Sequence, residues 1–93
     1  MERTPKEKLY WLLELFKKDD ISISEFCDEF HETYDHQLTE ELMVDEERLF
    51  RDLAHSAARF SDNNEDIKKY PNVYTSADTM TAKVKQAIEI LKI

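Results

Sequence analysis

Glycine is absent from this chain of 93 residues, and proline occurs only twice. Tight hairpin turns, loops that cradle phosphates and dinucleotide-binding fingerprints all need a residue free to adopt positive φ, so each lacks its usual component. An all-helical chain tolerates the absence best. Cys27 is the only cysteine, which excludes an internal disulfide, suits a reducing compartment and reads as a small buried helix residue. Long apolar runs are missing too: the run that starts at Leu9 is interrupted by Glu14 and Lys17, too short and too charged for a signal peptide or a membrane span. The expected location is the cytoplasm. Positive charge is scarce, with 13 Lys and Arg against 21 Asp and Glu and a formal net charge of −8.

The residues that are present organise as helices. Apolar residues make up 41%, enough for one core but not two, so residues 1–93 are read as a single domain. Thr4, Pro5 and Glu7 occupy the N-cap, first and third positions of a capping box, followed by Leu9, Leu12, Leu13 and Phe16 at helical spacing. Ser22 and Glu25 form a second capping-box pattern, with Ile21 placed to staple onto Phe26, and Phe26, Cys27, Phe30 and Tyr34 give a stripe that carries helix two to about Tyr34. A third helix is expected to begin near Thr39 or Asp45, with a bend or break around Met43 to Asp45, and to carry Leu42, Leu49, Phe50, Leu53, Ala54, Ala57 and Phe60. Between Ser61 and Thr75 the pattern is lost, which reads as a loop of about fifteen residues, a length usually reserved for function. From Thr75 or Ser76 onward, Met80, Val84, Ala87, Ile88 and Leu91 define a last amphipathic helix. Four short amphipathic helices with brief connections predict an all-α, small antiparallel four-helix bundle.

Charge is distributed unevenly along this frame. Thirteen carboxylates lie between Asp19 and Asp52, opposed only by Arg48 and Arg51, a net of −11. Such a field repels nucleic acid and anionic membranes and accelerates encounter with a basic surface. The expected partner is therefore a basic protein. Beside the acidic stretch, Tyr70, Pro71 and Tyr74 lie near Asp62, Glu65 and Asp66, and aromatic residues ringed by charge are common interface anchors. The same tyrosines can equally fold back onto the core, and the acidic face can equally serve solubility alone.

Candidate catalytic and metal-binding groups do not assemble. His31, Glu32 and His36 resemble a zinc-protease helix motif, but the histidines are five apart, about 140° around a helix, instead of the four that keep both on one face. His55 has no second ligand at a useful spacing. No nucleophile, base and orienting group come together, and no two carboxylates are singled out as an acid/base pair. Trp11 reads as a half-buried packing residue. The expectation is a non-enzyme with no cofactor and no metal.

A leucine-rich first helix is followed by Ile21-Ser22-Ile23-Ser24-Glu25-Phe26-Cys27-Asp28-Glu29-Phe30, by the run Leu-Phe-Arg-Asp-Leu-Ala-His-Ser-Ala-Ala-Arg-Phe from Leu49 to Phe60, by the Asn/Asp-rich acidic stretch with Tyr70, and by a closing amphipathic helix. In this order of features the chain resembles the colicin D immunity protein family, including similar immunity proteins of contact-dependent growth inhibition systems. The resemblance spans about Leu9 to Ile93 and implies a helical bundle that binds the basic, tRNA-cleaving domain of a cognate bacterial toxin in a 1:1 complex and covers its cleft. Carried over by position, the toxin-binding residues are Glu46, Glu47 and Asp52 on helix three, Asp62, Glu65 and Asp66 in the loop, and Tyr70 and Tyr74 as packing groups. Arg59 and Phe60 read as structural, and Ala58 stands where members of the family can carry an acid. Two alternatives stay open: immunity to a DNase-type colicin, faintly echoed by Tyr70-Pro71, and a generic acidic helical adaptor.

Overall fold

The computed structural model describes residues 4–38, 41–61, 63–70 and 73–93. Five α-helices follow in order: α1 (Pro5–Lys17), α2 (Ile23–Glu32), α3 (Val44–Ala58), α4 (Asn64–Lys69) and α5 (Ala77–Leu91), with a π-helical turn at Thr33–Gln37 after α2. No strand occurs among the described residues, and the fold is all-α. A radius of gyration of 13.1 Å is close to the roughly 12 Å typical of a folded chain of this length.

Local sequence sets the helix starts. Thr4 Oγ1 accepts from the Glu7 N–H and the Glu7 carboxylate accepts from the Thr4 N–H, both at 3.2 Å, a complete capping box. Ser22 caps α2 by accepting from the Glu25 N–H at 3.1 Å, but its hydroxyl donates to the Glu25 carboxylate at 3.3 Å, in place of the reciprocal backbone bond expected from the sequence. Ser76 caps α5 through the Thr79 N–H. Helix ends settle the missing glycine in an informative way. Both α1 and α5 close with Schellman-type bonds, Asp20 N–H to Leu15 O at 2.8 Å and Ile93 N–H to Ile88 O at 3.3 Å. The left-handed residues there are Asp19 (φ 59°) and Lys92 (φ 58°), in a conformation where glycine carries no steric penalty.

Three features depart from the sequence reading. Helix two is α-helical only to Glu32, and Tyr34 lies in the π turn; Leu38 N–H reaches back five residues to Thr33 O at 2.9 Å. Thr33 is fully buried in this turn, and its Oγ1 has no hydrogen-bond partner. The third helix starts at Val44, one residue before Asp45, while Thr39 lies outside the described residues. The expected loop from Ser61 to Thr75 contains α4, capped by Asn63, whose side chain accepts from the Glu65 N–H at 2.9 Å. Six residues with a single apolar member, Ile67, give no periodicity to detect. Glu65 and Asp66 at the start of α4 and Lys68 and Lys69 at its end match the helix dipole. The connection is tied at its base: Thr75 N–H donates to Arg59 O at 2.8 Å and Ser61 N–H to Thr75 O at 3.0 Å.

Helices α1, α2, α3 and α5 enclose one core. A chain of rings runs through it, from Phe16 to Phe26 (5.6 Å between centroids), Phe30 (5.2 Å), Phe50 (5.7 Å) and Tyr10 (5.4 Å), joining α1, α2 and α3. Leu12, Leu13, Leu53, Met80 and Val84 fill the space around it, all essentially inaccessible to solvent. Cys27 is buried as expected, and burial, with Asp28 nearby, pushes its thiol up to about 12. Trp11 is partly buried against the same cluster. No helix is long and apolar enough to cross a membrane.

Candidate interaction surface

The expected contact residues divide into distinct groups. On α3, Glu46 points inward: it is only 8% exposed, and its carboxylate accepts from the Tyr10 hydroxyl and from the Met43 N–H at 3.0 Å, with Lys6 Nζ at 3.6 Å. The Tyr10 bond, ahead of the backbone bond and Lys6, holds the Glu46 carboxyl below the ordinary carboxylate range against the opposing effect of burial. Burial first, and then Glu46, pushes the Tyr10 hydroxyl up to about 12. Glu47 is half-buried and accepts from Tyr34 at 2.8 Å and from Arg51 at 2.9 Å. These two donors lower its carboxyl, Tyr34 more than Arg51. Both glutamates thus tie α3 to neighbouring structure, a role that spacing alone does not reveal because Tyr10, Lys6 and Tyr34 are distant in sequence.

Asp52 is exposed on the next turns of α3, where Lys83 of α5 bridges both its oxygens at 3.0 and 3.1 Å. Together with Tyr74 it lines a recess of about 280 Å³ between the last turns of α3 and the tied base of the connection, which His55, Ser56, Arg59, Val73 and Thr75 complete. Tyr70, 52% exposed, packs edge-on to the partly buried Tyr74 with centroids 6.3 Å apart. Glu65 is exposed and Asp66 half-buried on α4, where Lys68 and Lys69 balance them. Asp62 and Pro71 lie outside the described residues.

The most continuous row of exposed carboxylates among the described residues is elsewhere. Glu25, Asp28, Glu29 and Glu32 are all exposed on α2 at the i, i+3, i+4, i+7 spacing that aligns side chains along one helix face. Glu29 meets Lys8 at 3.0 Å. These four belong to the acidic stretch but were not among the expected contact residues, although the same periodicity that marks the apolar stripe on the opposite face identifies them. Asp35 continues the acid beyond α2 and meets His31 Nδ1 at 2.8 Å. The His31 and His36 rings are 6.3 Å apart at 67°, and among the described residues no three His, Cys, Asp or Glu side chains are placed to hold a metal ion.

Comparisons of the chain with protein-family models, curated proteins and solved structures returned no match.

Proposed function

We propose that this chain is an immunity-type inhibitor: an antiparallel four-helix bundle, with α4 inserted in its long connection, that binds the basic cleft of a tRNA-cleaving bacterial toxin domain and denies it to RNA. The observation that carries this reading is the acidic stretch, thirteen carboxylates against two arginines from Asp19 to Asp52, four of which form an exposed row along α2. A nuclease cleft concentrates lysines and arginines to hold phosphates, and fixed carboxylates can engage the same groups through charge-assisted hydrogen bonds. Rigid helices hold such carboxylates in place before the encounter, which limits the ordering cost of association. In this reading the α2 row supplies most of the attraction, Asp52, Glu65 and Asp66 add to it, and Tyr70 and Tyr74 provide packing on the Asp52 side. Glu46 and Glu47 act by holding the start of α3.

The test is co-expression with a colicin D-type tRNase domain, reading cell survival and tRNA integrity. Survival with intact tRNA supports the proposal, and replacing Asp28 and Glu32 by lysine should then abolish protection while leaving helicity unchanged, because exposed charges contribute little to folding. Protection against a DNase domain alone would transfer the reading to DNase immunity. Protection against neither would leave an acidic adaptor.

A further inference from the structure

Among the large apolar side chains described as exposed, Met43 (73%) and Val44 (69%) are the most accessible, and they are adjacent. They form the tip from which α3 starts, with Met43 at the N-cap. That position favours Ser, Thr, Asp or Asn, whose oxygens accept from the first free N–H groups. Methionine makes no side-chain cap hydrogen bond here, so the chain forgoes a common source of helix stability at the most exposed large apolar residue among those described.

The tip is held firmly from beneath. Met43 N–H donates to Glu46 at 3.0 Å, and the same carboxylate is engaged by Tyr10 and Lys6 of α1. One residue further on, Glu47 is engaged by Tyr34 of the π turn. An apolar pair on a backbone fixed in advance loses little freedom when it docks. Methionine also adapts its shape to a partner and is enriched at interface centres. Glu41 and Asp45, both exposed, flank the pair, and Arg48 lies one turn along.

Resting on the function proposed above, we infer that Met43 and Val44 are the apolar anchor of the interface and seat in an apolar recess on the basic nuclease domain, one bordered by lysines or arginines that meet Glu41 and Asp45. The carboxylates then govern the rate of encounter, and the anchor governs how long the complex lasts.

The experiment measures binding of the full chain and its Met43→Ser/Val44→Ser variant to a catalytically inactivated colicin D-type tRNase domain by surface plasmon resonance at several salt concentrations, alongside thermal melts. The expected result is a loss of affinity of about tenfold or more, the scale of a hot-spot truncation, expressed in faster dissociation. The salt dependence of association should be unchanged and the melting temperature equal or higher, since serine at position 43 can cap α3. Should the double variant melt early, Met43→Thr alone, which also offers a capping oxygen, carries the same comparison. Affinity within about twofold of the original chain overturns the anchor and leaves the proposed function standing; no binding by the original chain overturns both.

Discussion

The Tyr10 hydroxyl donates to the Glu46 carboxylate across thirty-six residues of chain, joining the middle of α1 to the first turn of α3. Because the same carboxylate also accepts from the Met43 N–H, one side chain both caps its own helix and fastens it to another. Tyr10→Phe keeps the ring packed against Phe50 and removes only the hydroxyl. It should destabilise the fold by about 1 to 3 kcal/mol, the usual cost of depriving a buried charged acceptor of a donor. Chemical denaturation measures this, and a double-mutant cycle with Glu46→Gln should show coupling between the two positions. Additive effects would mean the contact contributes nothing.

Acid should weaken the same joint. Glu46 and Glu47 have carboxyls held below their ordinary range in the fold, chiefly by Tyr10 and Tyr34 respectively. A depressed folded-state value means the unfolded chain takes up protons first as pH falls. The stabilisation is therefore complete above the unfolded value, about 4.3 for glutamate, and is lost as pH drops through the folded one. Stability measured between pH 6 and pH 3 should decline most steeply below about pH 4.3, and Glu46→Gln should flatten the decline. At the alkaline end Tyr10, raised to about 12, favours the neutral hydroxyl in the fold. Its contribution is intact below the unfolded tyrosine value, near 10, and is lost as pH rises towards the folded one.

Thr33 offers a gain in stability. Its hydroxyl is buried without a partner, so Thr33→Val, which keeps the branched shape and removes the polar atom, should stabilise the protein by about 1 kcal/mol. A higher denaturation midpoint with unchanged helicity is the expected outcome. A lower midpoint would show that the hydroxyl is satisfied in solution.

At Asp19 a left-handed backbone is imposed on a residue with a Cβ. The penalty for an L-residue there is about 1 to 2 kcal/mol, partly offset by the greater flexibility glycine would bring to the unfolded chain. Asp19→Gly should therefore raise stability by about 0.5 kcal/mol, read as an increased melting temperature. No increase would mean that the aspartate side chain stabilises the turn by an equal amount.

Much of this architecture is written in local patterns. Thr4 to Glu7, Ser22 and Ser76 start helices because a side-chain oxygen next to a free N–H needs only neighbouring residues. Leu9, Leu12 and Leu13, Phe26 and Phe30, and Met80 and Val84 are buried as their spacing implies. The α4 helix was not legible, since six residues with one apolar member carry no period, and neither was the π turn, where Tyr34 reaches Glu47 of α3, thirteen residues away.

The sequence by itself determined the helical class, the main core stripes and the concentration of negative charge, because each follows from composition and from contacts three or four residues apart. Only the tertiary structure decided which carboxylates face water. Glu46 and Glu47 stand beside Asp45 in one acidic run, yet Asp45 is exposed while the other two are claimed by Tyr10 and Tyr34. The physical reason is that a carboxylate leaves water only where a donor from another part of the chain replaces it, and the fold alone brings those donors near.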